Sequence, residues 1–209
     1  MPRYPAPHPG TGGRTVRCHG QNHEKIAERA VVESTVLLKN RAGVLPLPID
    51  KTVAVIGGIL PNGENGENLL FKFRDMLCQK GYDCVGASLG YDPDDIQNTD
   101  MADEAVKLAL SASVIILFMG TGYENEKDIP LTKSLELPAN QLRLVDMLLK
   151  LNKTVIGVVA SGHAPDVSFA GRMEALLYAP LWYRSSVSAI ASILTGEISP
   201  SGKLAYALY

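Results

Sequence analysis

Short apolar runs of strand type alternate with amphipathic stretches of helical period along most of this chain, and this alternation constrains the fold more than any other feature. Several runs are rich in valine and isoleucine, which favour strands, and none approaches the roughly 20 residues that cross a bilayer. They predict strands over residues 52–57, 83–89, 114–119, 154–160 and 175–178, and a last extended segment over 204–208. We expect the two most apolar runs, 114–119 and 154–160, to be central and adjacent in a sheet.

Stretches with a helical period separate the predicted strands. In the first of them Ala27, Val31, Ser34 and Leu38 share one face, and Gly43 follows to end the helix. The predicted helices cover residues 23–39, 69–80, 101–111, 139–151 and 185–194. Strands joined through helices need crossover connections. The sequence therefore predicts an α/β fold, a three-layer α/β/α sandwich with a mainly parallel sheet of about six strands.

The first 22 residues differ in composition from the rest of the chain. They hold four of its 13 prolines, and each proline removes a backbone donor and fixes φ. We therefore expect an irregular tail or linker over residues 1–22. Residues 23–209 have a suitable length for a single globular domain.

Charge and cysteine content exclude several classes of function. The 20 basic and 22 acidic residues give a formal net charge of −2, which offers no electrostatic footprint for nucleic acid. The N-terminus lacks the apolar core of a signal peptide. Cys18, Cys78 and Cys84 are an odd number without framework spacing, which indicates reduced thiols. We expect a cytoplasmic domain that binds neither nucleic acid nor membrane.

The loops after the carboxyl ends of parallel strands are where an α/β sheet carries its function. The glycine-rich loop 57–66 has neither G-x-G-x-x-G nor Gly-Lys-Ser/Thr spacing, so we expect a plain turn there. Cys18, His19 and His23 lie close together but are too few for a zinc site. The sequence therefore predicts no cofactor and no metal.

The loop over residues 120–138 follows the most apolar run and is acidic. Glu124, Glu126 and Asp128 place three carboxylates within five residues. At the functional edge of a sheet such groups can supply a general acid or base. The alternative is an acidic loop that is merely solvated, and the spacing alone leaves both interpretations open.

Several segments occur together in an order and at a spacing that a known family shares. They read ESTVLLKN at residues 33–40, GVLPL at 43–47, VAVIG at 53–57, ENEKD at 124–128, LELPANQ at 135–141, SG at 161–162 with Pro165, and SPSGKL at 199–204 after Gly196. Over roughly residues 23–208 the chain resembles the α/β sandwich domain of glycoside hydrolase family 3, the family of β-glucosidases and β-xylosidases.

The resemblance implies half of an active site. In this family the nucleophile is an aspartate on a separate (β/α)₈ barrel domain, and the sandwich domain supplies the acid/base from its acidic loop. It implies that Glu124 or Glu126 is the acid/base and that the parent protein is a glycosidase. The implied partners are a barrel domain, in the same or a partner chain, and a β-glycoside substrate. Retaining hydrolysis needs both carboxylates, so we expect the isolated chain to be inactive.

Side chains from three neighbouring loops are expected to contact the sugar. Tyr123 and Asp128 lie in the acidic loop, His163 follows strand 154–160, and Trp182 follows strand 175–178. His163 is expected to line or cap the cleft. An aromatic ring can stack on the apolar face of a sugar, so Trp182 would form one wall. The alternative places Trp182 in the core.

Departures from the family pattern leave a second function open. The family follows its acidic pair with Gly-x-Asp-Arg, whereas here Lys127 takes the glycine position and Ile129 follows Asp128, leaving no arginine. The family's Trp-Tyr-Pro-Gly turn reads Trp-Tyr-Arg-Ser at residues 182–185, and serine adopts positive φ less readily than glycine. The alternative function is a non-catalytic structural or sugar-binding module.

Overall fold

The structure, a computed structural model, describes residues 20–58, 68–92, 100–120, 136–162, 164–179 and 185–207, without the side chains of residues 20–22. Its strands are β1 Val36–Asn40, β2 Thr52–Ile56, β3 Asp83–Ser88, β4 Val114–Gly120, β5 Thr154–Ala160 and β6 Ala175–Ala179. The described helices are α1 Gly20–Ser34, α2 Leu69–Gln79, α3 Asp100–Leu110, α4 Ala139–Leu149 and α5 Ser186–Leu194.

The strands form one sheet in the order β1-β6-β5-β4-β2-β3. Strand β1 runs antiparallel to β6, and the other neighbouring pairs are parallel. Strand β4 is buried at every position, and β5 at all but its first. A strand that is covered on both faces shows no polar alternation, which is why these strands are unbroken apolar runs in the sequence. The predicted mainly parallel sheet and the central, adjacent placement of these two strands are confirmed.

Helices cover both faces of the sheet. α1 and α2 contact α5, whereas α3 contacts α4, so the helices form two groups. Each group turns apolar side chains inward: Phe73 of α2 and Leu144 of α4 are fully buried. Strands that are buried on both faces need cover on both sides, which the two groups provide, and the predicted α/β/α class is confirmed. None of the described helices combines the length and apolarity that a membrane span requires.

The structure corrects the limits of the first predicted helix. Helix α1 begins at Gly20, three residues before the expected start, and ends at Ser34 rather than at residue 39. The Thr35 backbone N–H and hydroxyl both donate to the Val31 carbonyl, at 2.9 and 2.7 Å. These two bonds satisfy the Val31 carbonyl in the last turn of the helix. Beyond Thr35 the chain extends into β1.

The prediction of helix over residues 36–39 is wrong, because these residues form the edge strand β1. Val36 and Leu38 are partly buried and Leu37 is exposed, an alternation that fits a strand. Pairing with β6 gives hydrogen-bond partners to the backbone groups that the two strands turn toward each other, and it covers the edge of β6. That partner lies far away in the sequence, so local periodicity could not reveal it.

The structure also corrects the last predicted strand. The described part of that segment, residues 204–207, contains no strand, and β1 completes the six described strands instead. The residues just before position 204 cross the end of α1, where the Gly202 N–H donates to the Thr35 carbonyl at 3.0 Å. A Cβ on Gly202 would lie 2.5 Å from the carbonyl oxygens of Ser34 and Thr35. In this chain the SPSGKL segment therefore packs the chain end against α1.

At the edge of the sheet where the parallel strands begin, an asparagine side chain bonds both backbone polar groups of one residue. Asn40 Nδ2 donates to the Leu45 carbonyl, and the Leu45 N–H donates to Asn40 Oδ1, both at 3.0 Å. Asn40 is in register with Ala175, the first residue of β6. This bridge therefore lies opposite the edge at which parallel sheets carry their sites.

Candidate functional site

Three central strands end in one row at the carboxyl edge of the sheet. Gly120, the last residue of β4, is in register with Ala160, the last residue of β5. Ala160 is in register with Ala179, the last residue of β6. Neighbouring strands lie about 4.8 Å apart, so the three residues from which the loops leave span about 10 Å. The loops that carry the predicted site residues therefore start side by side.

The predicted site residues belong to the loops that leave this row. Tyr123, Glu124, Glu126 and Asp128 follow β4, His163 follows β5 and Trp182 follows β6, and all six lie outside the described residues. Their assignment stays a prediction from the sequence. The described residues show how the loops are attached.

The acidic loop is attached through a buried pair of hydrogen bonds. The Gly120 N–H donates to Gln141 Oε1 at 2.9 Å, and Gln141 Nε2 donates to the Gly120 carbonyl at 2.7 Å. The Gln141 side chain is buried. Gly120 has φ of +144°, a region that favours glycine over residues with a Cβ. One side chain from the end of the loop thus holds the residue at which the loop begins.

The side-chain amide of Asn140, next to Gln141, joins the start of α4 to the loop after β3. Asn140 Nδ2 donates to the Asp92 carbonyl at 2.8 Å, and its Oδ1 accepts the Gln141 N–H at 2.9 Å. Next to Asp92, the buried Tyr91 hydroxyl donates to the Phe118 carbonyl of β4 at 3.2 Å. The start of α4 therefore fastens both the loop after β4 and the loop after β3 to the edge of the sheet.

The loop after β5 is held by a pair of tyrosines. The buried Tyr178 of β6 donates its hydroxyl hydrogen to the Ser161 carbonyl at 2.9 Å. Its oxygen lies 2.5 Å from the Tyr206 hydroxyl, and the two rings meet edge to face with centroids 6.5 Å apart. Tyr206 remains 43% exposed. This places a partly exposed aromatic ring from the end of the chain beside the root of the β5 loop.

Asp166 has a structural contact at the end of the same loop. Its Oδ1 accepts the Ser168 N–H at 2.7 Å, where a short 3₁₀ helix begins at Ser168. The preceding Pro165 is buried. A carboxylate that caps a backbone N–H next to a buried proline fits a turn-forming role.

The described cysteines offer no reactive thiolate at this edge. Cys78 and Cys84 are free thiols, as expected, whereas Cys18 lies outside the described residues. Burial raises the pKa of Cys84 to about 12, with a further contribution from a hydrogen bond with Cys78. Cys84 therefore stays protonated near neutral pH, and it lies at the amino end of β3. Among the described residues no three His, Cys, Asp or Glu side chains are grouped so as to hold a metal ion.

The side chains that hold the loop roots were not singled out by sequence reasoning. Gln141 and Asn140 belong to the LELPANQ segment. The resemblance of this segment to a family motif was the only indication of their importance, and it assigned neither residue a role. Tyr178 reads as an ordinary strand residue, and nothing in the pattern around Tyr206 links it to β6. These groups are neutral amides and phenols, and they hold backbone groups in place through hydrogen bonds.

A sequence model of the glycosyl hydrolase family 3 C-terminal domain matches residues 35–209 of this chain. Two curated relatives are each 30% identical to it. Thermostable beta-glucosidase B of Acetivibrio thermocellus aligns over 194 residues, which cover 88% of this chain and 26% of the relative. A probable exo-1,4-beta-xylosidase of Aspergillus terreus aligns over 200 residues, which cover 89% of this chain and 25% of the relative.

Comparison with solved structures also finds similarity to a glycosidase of family 3. The GH3 beta-glucosidase of Bifidobacterium adolescentis superposes with a TM-score of 0.77 at 28% sequence identity. The match covers 91% of this chain and 29% of that one. The chain thus spans about a quarter of the length of the relatives that it matches.

Proposed function

This chain belongs to the glycosyl hydrolase family 3 C-terminal domains. We therefore propose that its acidic loop supplies the acid/base for the hydrolysis of β-linked glycosides. Glu124 or Glu126 is the acid/base in this proposal. The observation that supports it most is the row formed by Gly120, Ala160 and Ala179. It starts the acidic loop beside the loop after β5, which in turn starts beside the loop after β6, so the loops with the expected sugar-contacting residues leave from one row.

The proposed chemistry divides between two domains. In the first step the carboxylic acid of the loop protonates the departing glycosidic oxygen, and in the second the same group, now a carboxylate, removes a proton from water. Retaining hydrolysis also needs a nucleophilic carboxylate about 5 to 5.5 Å away. We assign that nucleophile to a barrel domain, in the same or a partner chain.

The proposed substrate is a class rather than one sugar. The relatives are named a beta-glucosidase and a probable exo-1,4-beta-xylosidase, so the proposal covers β-glucosides and related sugars. Tyr123, Asp128, His163 and Trp182 would contact the sugar. An aromatic ring and several polar groups around one cleft suit a ligand with apolar ring faces and many hydroxyls.

Hydrolysis of aryl β-glucosides and β-xylosides tests the proposal. The 209-residue chain alone should show no appreciable turnover. When the barrel domain is supplied, Glu124→Gln or Glu126→Gln should lower kcat/KM by about 10² to 10⁴-fold, the usual contribution of general acid catalysis. Glu104→Gln, at an exposed position of α3, is the matched control and should leave kcat/KM unchanged.

The alternative, a non-catalytic module, predicts a different result. Two departures from the family pattern favour it: Lys127 takes the glycine position, and no arginine follows Asp128. In that case neither substitution changes turnover when the barrel is present, or no aryl glycoside is hydrolysed at all. Turnover by the purified chain alone that Glu124→Gln or Glu126→Gln abolishes would instead show that the chain holds its own nucleophile.

A further inference from the structure

The contact between Gln141 and Gly120 fixes the orientation of two successive peptide groups. The Gly120 N–H belongs to the peptide that joins it to Met119, and its carbonyl belongs to the peptide that leads into residue 121. The Gln141 amide bonds both groups, at 2.9 and 2.7 Å. The direction in which the chain leaves β4 is therefore set by one side chain.

The Gln141 side chain is itself carried by a helix that is packed into the core. It stands in the first turn of α4, where the Gln141 N–H donates to Pro138 and Asn140 acceptors. Leu144 and Leu148, farther along α4, are fully buried against the core. Because the helix cannot shift without exposing these side chains, the amide is a fixed point from which Gly120 is held.

The same contact closes the acidic loop at its base. Gly120 lies immediately before residue 121, and Gln141 lies 21 positions after Gly120, just past the loop. Both ends are thus joined at hydrogen-bond distance, so movement at one end cannot occur without breaking a buried bond. A buried donor or acceptor without a partner is unfavourable, which keeps this arrangement closed.

We propose that Gln141 is a positioning residue for the acid/base of the acidic loop and acts through both peptide groups of Gly120. This inference rests on the proposed function, because it requires a catalytic carboxylate in the loop. Gln141 transfers no proton itself. It sets the geometry in which a carboxyl group meets the glycosidic oxygen, and a displacement of about 1 Å at such a group is enough to lower a rate substantially.

The substitution Gln141→Met tests this role, because it retains the length of the side chain and removes both hydrogen bonds. Phenol is a poor leaving group that needs protonation, whereas 2,4-dinitrophenolate departs without it. With the barrel domain present, the variant should lose at least about 10-fold in kcat/KM on the phenyl glycoside. It should lose less than about 3-fold on the 2,4-dinitrophenyl glycoside, which does not depend on the general acid.

Two controls separate positioning from a general loss of structure. Asn40→Leu removes the comparable amide bridge to Leu45 at the opposite edge of the sheet and should affect both glycosides equally. Gln79→Met places the same substitution at an exposed residue and should affect neither. If Gln141→Met does not fold, Gln141→Asn replaces it, since that amide is one methylene too short to reach both groups of Gly120.

Hydrogen exchange gives a second measurement that does not depend on activity. In the 209-residue chain the Gly120 amide should exchange at least about 10-fold faster in Gln141→Met than in the wild type. Unchanged exchange would overturn the proposed restraint. An equal loss on both glycosides, or a loss on neither, would overturn the positioning role alone. A wild-type protein that hydrolyses neither glycoside when the barrel is present would overturn the proposed function, and the positioning role with it.

Discussion

Gly120 ends β4 with both of its backbone polar groups bonded by the amide of Gln141, and Ser161 follows β5 with its carbonyl bonded by Tyr178. An unpaired buried backbone group costs about 1 to 3 kcal/mol. The Gln141 and Tyr178 side chains therefore hold the backbone at the points where the sheet ends and the loops begin. At the residue scale, neutral amide and phenol groups thus position the backbone at the carboxyl edge of the sheet. Gly120 is the residue from which the acidic loop leaves β4.

Glu197 is the residue at which pH should act on the described part of the fold. Lys80, at the end of α2, lies 2.5 Å from Glu197 Oε1, and the Ser192 hydroxyl donates to Oε2 at 3.1 Å. The hydrogen bond from Lys80 is the main cause that holds the pKa of Glu197 below its ordinary value of 4.5. A carboxyl whose pKa is lower in the folded state stabilises the fold above the unfolded pKa, and that contribution is lost as pH falls through the folded pKa.

We predict that Glu197→Gln lowers the free energy of unfolding at pH 7 by less than about 1 kcal/mol, because the carboxylate is largely solvated. The difference from the wild type should shrink as the pH is lowered from 7 to 3, because protonation removes the Glu197 charge that Lys80 stabilises. Urea denaturation at both pH values measures it. Glu24→Gln, at an exposed residue of α1, is the control and should change stability at neither pH. A difference that persists unchanged at pH 3 would contradict the assignment to the Lys80 contact.

At the scale of elements, the end of α1 is a junction on which two distant segments meet. Strand β1 leaves it at once to pair with β6, and the chain end returns over it through Gly202. The Gly202 N–H bonds the Thr35 carbonyl, which a helix that continued to residue 39 would have used internally. The end of the helix therefore makes the edge strand and the closing segment possible together.

Gly202→Ala should destabilise the domain by about 1 to 3 kcal/mol, the usual cost of inserting a methyl group where there is no room. The added Cβ would lie 2.5 Å from two backbone oxygens, and backbone cannot move aside as a flexible side chain can. Urea denaturation gives the free energy of unfolding. Gly171→Ala is the matched control, since a Cβ there meets no atom within 4 Å. Equal stability of the two variants would show that the chain end does not pack on α1 in solution.

At the scale of the whole molecule, one edge of the sheet gathers the loops. The order β6-β5-β4 brings the three strands with the relevant loops together, and α4 fastens the acidic loop and the loop after β3 to the same edge. The amino edge is held by separate contacts, such as the Asn40 bridge. Ligand contacts at one edge are thus expected to leave the other edge undisturbed.

A titration of the labelled chain with glucose and cellobiose, followed by NMR, tests this expectation. Binding should be weak, with Kd about 1 mM or above, because the proposed function assigns the other side of the cleft to a separate barrel domain. Shifts should concentrate in residues 120–138, 161–168 and 182–184. Residues 150–153, between α4 and β5, serve as an internal control and should not move. Shifts confined to such distant loops would refute this placement of the sugar.

The sequence by itself determined the α/β class, the central strands and most helix limits. Residues 114–120 and 154–160 are covered on both faces, so their burial is visible as an unbroken apolar run. It also determined the family, because the ordered motifs are local segments. The helices α2 to α5 follow from apolar spacing and from breakers such as Gly81, which act within a few residues of the element itself.

Only the tertiary structure decided the features that join distant parts of the chain. Residues 36–40 fit a helical face and an edge strand, and pairing with β6 selected the strand. Gln141 met Gly120, and Tyr206 met Tyr178, through contacts that span 21 and 28 positions. A hydrogen bond between remote residues leaves no periodic trace in the sequence, because each partner depends on where the fold places the other.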